Sequence, residues 1–169
     1  MKSVISILLL ANVIYGQYET SNAKYRGFSK IDCLGLIIYG IDDDDLFDEI
    51  EKLTRSIAAE TLPQNVKLDY FTECPLYPLS VEFHTIKNKD GTISGTIAVA
   101  VEATSESTTI EVQYPSVDEE NWYYQIGFMP VIEFRQVLSN ANDKSVIITA
   151  EVLIQKVLDQ FLLRWVENP

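Results

Sequence analysis

The clearest pattern of apolar and polar positions in this sequence lies near its C-terminal end, over residues 143–165. Apolar side chains recur there at steps of three and four, which is the spacing of one helix face. The residues of this face are Val146, Ala150, Leu153, Val157, Phe161 and Trp165, and a second apolar row beside it holds Ile147, Ile154, Leu158 and Leu162. So wide a stripe predicts one long helix packed on a sheet face, with Asn142 or Asp143 as its cap.

The first third of the chain predicts a strand and a second helix. Residues 31–41 form a nearly continuous apolar run, which indicates a central and well-covered strand. A helix is predicted over 43–60, because apolar side chains recur there at helical spacing: Leu46, Ile50, Leu53 and Ile57. Four aspartates at 42–45 suit the positive end of the helix dipole, and Pro63 stops the helix.

The middle of the chain carries the pattern of short strands. Residues 66–71 predict one strand, and a hairpin follows in which 81–87 and 92–102 are joined by the turn Asn-Lys-Asp-Gly at 88–91. The returning strand alternates between large and small residues. Ile97, Val99 and Val101 face one way, and Thr96, Ala98 and Ala100 face the other. The small side is suited to close packing.

Between residues 104 and 142 the pattern is less regular. Residues 109–114 and 122–128 each predict a strand, and 131–138 predict a short helix followed by a polar link at 139–142. The chain as a whole therefore predicts an α+β fold. We expect an antiparallel-rich mixed sheet of about five to six strands, with a short N-terminal helix and a long C-terminal helix packed on one face.

The N-terminal residues are typical of an export signal. Residues 1–3 form a short basic region, and residues 4–11 form an apolar run. Gly16 offers a small residue for cleavage before Gln17. The apolar run is shorter than the roughly 20 residues that a membrane span needs. We therefore expect an exported protein, periplasmic or secreted. The alternative for 4–11 is a buried strand or helix of the folded domain.

These boundaries predict a signal peptide at 1–16, a flexible N-terminal segment at 17–30 and a single α+β domain at 31–169. The formal net charge of the chain is −12, and an acidic surface repels nucleic acid and anionic lipid. We expect no nucleic-acid partner and no membrane span. The expected partner is a protein or an envelope component, and the sequence leaves the oligomeric state open.

The chain has two cysteines, Cys33 and Cys74. In an exported protein an even number of cysteines predicts a disulfide. Closing a loop of about 40 residues would stabilise the fold by about 4 kcal/mol in the chain-entropy model. Two buried thiols are the alternative.

From about Cys33 to Pro169 the chain resembles a widespread family of small exported bacterial proteins to which no activity is assigned. Four features carry the resemblance. They are the early strand–helix unit, the aspartate–glycine hairpin, Trp122 with Gly127 nearby, and a final helix ending in Asp159, Gln160, Phe161, Trp165, Asn168 and Pro169. The resemblance implies an α+β fold and no particular activity. Tyr123 and Tyr124 stand where members of the family often have smaller residues.

Motifs for catalysis or for cofactor binding are absent from the sequence. There is no Gly-x-Ser-x-Gly turn, Gly-x-Gly-x-x-Gly loop, phosphate loop or His-Glu-x-x-His helix. The single histidine, His84, lies on a predicted strand, and the aspartates at 42–45 lack the alternation and the glycine of a calcium loop. We therefore predict no catalytic residue, no metal ligand and no cofactor. A pair of carboxylates acting as acid and base remains the alternative.

Aromatic residues cluster in the segment from 114 to 134. On a strand, Trp122 and Tyr124 share one face while Tyr123 takes the other, so we expect one side of the group to face solvent. Exposed tyrosine and tryptophan are typical contact residues. We therefore predict a binding surface at Tyr114, Trp122, Tyr123 and Tyr124.

The leading functional hypothesis is a non-catalytic exported module that binds or assembles through this aromatic-rich surface. One alternative is a small-molecule carrier with a pocket between the long helix and the sheet. Another is a small secreted hydrolase that uses acids or His84. A wide gap between helix and sheet would favour the carrier, whereas acids clustered in a cleft would favour the hydrolase.

Overall fold

The structure is a computed structural model that describes residues 24–26, 28–104, 111–113 and 129–167. Its elements are β1 Lys24–Arg26, a 3-10 helix Phe28–Lys30, β2 Cys33–Tyr39, α1 Asp44–Thr61, β3 Lys67–Tyr70, β4 Pro78–Lys87, β5 Ile93–Ala103, β6 Glu111–Gln113, β7 Met129–Ala141 and α2 Asp143–Glu167. The predicted signal peptide at 1–16 and the predicted strand at 122–128 lie outside the described residues.

Five of the strands form one mixed sheet, in the order β3-β2-β4-β5-β7. β2 runs parallel to both β3 and β4, whereas β4, β5 and β7 pair as antiparallel neighbours. Because α1 connects β2 to the parallel strand β3, these three elements form a βαβ unit. β1 and β6 pair separately in a two-stranded antiparallel sheet. The predicted α+β fold is confirmed, with its mixed sheet, short early helix and long C-terminal helix.

Both helices begin at side chains that cap them. The carboxylate of Asp43 accepts a hydrogen bond of 3.1 Å from the backbone N–H of Leu46 at the start of α1. Asn142 accepts one of 2.9 Å from the N–H of Ser145 at the start of α2. Each cap satisfies a backbone donor that has no partner within its helix. The interpretation of the aspartates at 42–45 as a helix start is confirmed.

The two helices contact each other and share one core with one face of the sheet. α2 buries the predicted residues Leu153, Val157 and Phe161 in this core. The sheet contributes alternate residues of its central strands to the same core. These residues are Leu79, Val81 and Phe83 of β4 and Ile97, Val99 and Val101 of β5. Removal of this apolar surface from water is the main favourable contribution to folding.

The prediction of a short helix over 131–138 is wrong. These residues lie in β7, which also includes most of the predicted polar link at 139–142. Val131, Phe134 and Leu138 are spaced three and four apart, as on a helix, but Ile132 and Phe134 lie opposite Val101 and Val99 of β5. The pairing with β5 stabilises the strand conformation over a helix, and the local spacing of apolar residues does not reveal this pairing.

The core extends further toward the N-terminus than the predicted domain start at residue 31. Phe28, in the 3-10 helix, is fully buried, and its ring lies edge-on to that of Phe161 with 5.9 Å between the centroids. The guanidinium of Arg164 also lies near the Phe28 ring, 5.8 Å from its centroid. Part of the segment predicted as flexible, 17–30, is therefore packed against α2.

The predicted disulfide between Cys33 and Cys74 is present, with 5.9 Å between the two Cα atoms. It joins the start of β2 to the loop after β3, and it spans a sequence separation of 41 residues. Gly35 allows this loop to lie close to β2, because a Cβ atom at that position would overlap the carbonyl oxygen of Cys74. The bond closes the βαβ unit covalently.

Candidate functional site

The face of the sheet opposite the helices, here called the outer face, carries polar and charged side chains. It follows from the alternation in β4, where Leu79, Val81 and Phe83 enter the core and the residues between them point the other way. Those outward residues are Ser80, Glu82 and His84. The alternation that builds the core therefore also builds this surface.

The strand register arranges the outer face in rows across β2, β4, β5 and β7. Two neighbouring rows are Tyr39–Glu82–Ala98–Arg135 and Ile37–Ser80–Ala100–Glu133. Their small members Ser80, Ala98 and Ala100 are buried between the larger side chains. Seven residues here interact directly or electrostatically, and we call them the outer-face cluster: Tyr39, Ser80, Glu82, His84, Glu102, Glu133 and Arg135.

Glu82 connects two aromatic partners within the outer-face cluster. The Nε2 atom of His84 lies 3.0 Å from Oε2 of Glu82, a hydrogen bond when the imidazole carries its proton on Nε2. The hydroxyl of Tyr39 donates to the same carboxylate. The rings of Tyr39 and His84 lie edge-on to each other, with 6.5 Å between their centroids. Burial, together with this bond and the charge of Glu82, raises the pKa of Tyr39 well above its ordinary value. Tyr39 therefore stays a hydrogen-bond donor.

Glu102 is the most buried carboxyl of the outer-face cluster, with 8% of its surface exposed. The hydroxyl of Ser80 donates to its Oε1 at 3.3 Å. Burial raises the pKa of Glu102 to about 7, and the charges of Glu82 and Glu133 act in the same direction, whereas the bond from Ser80 opposes them. This carboxyl therefore exchanges its proton near neutral pH, unlike an ordinary glutamate.

The third carboxylate, Glu133, accepts a hydrogen bond from Nε of Arg135, two residues along β7. Beyond the charged rows the outer face becomes apolar. Val137 lies in the row of His84 and Thr96 and is 75% exposed, and Ile86 on β4 is 69% exposed. The outer face thus combines a polar cluster with exposed apolar side chains.

The aromatic residues predicted to bind, Tyr114, Trp122, Tyr123 and Tyr124, lie outside the described residues, and their role remains a prediction. His84, noted in the sequence as the single histidine, lies in the outer-face cluster. The sequence analysis did not single out Tyr39, Glu82, Glu102 or Glu133. The one sequence signal for them is a carboxyl, Glu102, at the end of the otherwise apolar run of β5.

Within the described ranges, no three His, Cys, Asp or Glu side chains are grouped so that they could hold a metal ion. No helix in this part of the chain is both long and apolar enough to cross a membrane. Comparison of the chain with models of known families, with curated proteins and with solved structures found no match.

Proposed function

We propose that the protein is an exported, non-catalytic binding module whose contact surface is the outer face of the sheet, with the predicted aromatic residues 114 and 122–124 as further contact residues. One observation carries the proposal: the face opposite the helices exposes the apolar and aromatic side chains of Ile86, Val137 and Tyr39. Such side chains, surrounded by polar ones, are typical of surfaces that bind other molecules. The disulfide is compatible with export, because such bonds persist in oxidising compartments.

The charge of the surface favours a basic or neutral partner. The outer face carries Glu82, Glu102 and Glu133, and the chain as a whole has a formal net charge of −12. Opposite charges speed association and exclude partners of like charge. We propose a protein or an envelope component as the partner, in keeping with the expected export.

The test compares two exposed apolar residues on different surfaces. Val137 lies on the outer face and Ile148 lies on α2, and both are exposed, so glutamate at either position should leave the fold intact. The parent protein is immobilised and a saturable partner is isolated from the exported fraction of the producing cells. We expect Val137→Glu to weaken binding of that partner about tenfold or more, which is about 1.4 kcal/mol.

Ile148→Glu is the matched control and should bind like the parent. A Trp122→Ala variant tests the predicted aromatic contact residues separately and should also weaken binding if they contact the partner. Equal affinity of the Val137→Glu variant and the parent would show that the outer face is not the contact surface.

A small secreted hydrolase is the second candidate, and the outer-face cluster favours it. Glu102, with its pKa raised to about 7, could act as a general acid, and Glu82, held by Tyr39 and His84, could act as the base. Hydrolysis of chromogenic glycosides or esters, lost in Glu102→Gln, would support this candidate. The described residues do not favour the carrier, because Leu153, Val157 and Phe161 fill the space between α2 and the sheet.

A further inference from the structure

Glu102 is buried beside carboxylates of both neighbouring strands. Glu82 on β4 and Glu133 on β7 lie on the same face of the sheet, and both act electrostatically on Glu102. The neutral hydroxyl of Ser80 donates to Glu102 over a long distance, 3.3 Å. A buried charge with so little compensation is costly, and like charges nearby add to the cost.

The other titratable and charged groups of the outer-face cluster contact the neighbouring carboxylates Glu82 and Glu133. Tyr39 of β2 has a neutral hydroxyl that donates to Glu82. His84 of β4 contacts the same carboxylate. From β7 comes Arg135, whose Nε donates to Glu133.

We propose that Glu102, buried on the same face of the sheet as Glu82 and Glu133, is a pH sensor whose protonation makes the folded domain more stable in mildly acidic than in alkaline surroundings. The proposal concerns the outer-face cluster itself and does not depend on any binding partner. The proton removes one of three carboxylate charges from a single face of the sheet.

The direction of the effect follows from proton linkage. The pKa of Glu102 is raised to about 7 in the folded chain, against 4.5 for an unperturbed glutamate. A group whose pKa is raised by folding stabilises the folded state fully below its unfolded pKa. That contribution is lost as the pH rises through the folded pKa. The stabilising contribution of Glu102 to the folded state therefore declines between pH 4.5 and about pH 7.

Carboxyl titration by carbon-detected NMR measures the proton directly. The Glu102 signal is identified by its absence from the Glu102→Gln variant, in which the amide keeps the shape of the side chain. We expect a titration midpoint near pH 7, and a lower midpoint in Glu82→Gln, which removes one neighbouring charge. A midpoint below about pH 5.5, close to that of an ordinary glutamate, would overturn the proposal.

Thermal melting tests the consequence for stability. Between about pH 5 and about pH 8, the Tm of the parent should fall by roughly 3–8 °C more than that of Glu102→Gln. Glu151→Gln on the exposed surface of α2 is the matched control and should follow the parent. His84→Gln tests the contribution of the imidazole that contacts Glu82, and this variant should keep most of the difference. Identical pH profiles for the parent and Glu102→Gln would contradict the proposal.

Discussion

Phe161 joins α2 to the N-terminal 3-10 helix, because its fully buried ring lies against Phe28. Phe161→Ala removes this contact and leaves a cavity, so we expect the free energy of unfolding to fall by about 3–5 kcal/mol. A domain of this size has only about 5–15 kcal/mol in total. Urea denaturation of parent and variant measures the difference.

Leu163→Ala is the control on the same helix. Leu163 is 46% exposed, so its loss should cost about 1 kcal/mol or less. If Phe161→Ala unfolds at the same urea concentration as the parent, α2 is peripheral and the sheet must bury its face in another way, such as a dimer.

Residues whose role depends on near neighbours in the chain could be predicted from the sequence, and residues whose role depends on distant strands could not. Asp43 and Asn142 cap helices through bonds to residues three positions along. Glu102, by contrast, depends on Ser80, Glu82 and Glu133, which only the pairing of β4, β5 and β7 brings near it. The register in which these strands pair is difficult to predict from one sequence.

At the scale of elements, the same division explains which parts of the fold were predicted. The period of α2 and the Asn88–Gly91 turn of the β4–β5 hairpin are local signals, and both elements form as expected. β7 has an ambiguous local period, and its pairing with β5 fixes its conformation. The outer face required the correct assignment of β7, so it could not be assembled from the predicted elements.

The disulfide should contribute a measurable part of the stability of the β2–α1–β3 unit. Replacing both Cys33 and Cys74 by alanine should lower the free energy of unfolding by about 2–4 kcal/mol, because the unfolded chain regains the freedom of a loop with a sequence separation of 41 residues. Urea denaturation of parent and double variant gives the difference.

Chemical reduction of the parent is the control and should reproduce most of this loss, since it opens the same loop without changing the sequence. Two free thiols in the native protein, counted by alkylation and mass spectrometry, would contradict the prediction.

At the scale of the whole molecule, the prediction concerns export. The basic start, the apolar run at 4–11 and Gly16 predict that the mature protein begins near Gln17. N-terminal sequencing of protein from the exported fraction measures this directly. Leu9→Glu interrupts the apolar run, and we expect this variant to stay in the producing cell with its N-terminal segment uncleaved.

Exported protein that retains Met1 would show that the prediction of cleavage is wrong. Among the described residues, the buried core begins at Phe28.

The position of the disulfide has a consequence for the order of folding during synthesis. Cys33 and Cys74 both precede Pro78, the first residue of β4, so both leave the ribosome or an export channel before any of β4, β5 and β7. The disulfide can therefore form in the β2–α1–β3 unit while three of the five strands of the sheet are still to emerge. We expect nascent chains halted shortly after residue 78 has emerged into an oxidising compartment to migrate faster on gels without reductant than with it. The later strands would then add to a template whose register is already fixed.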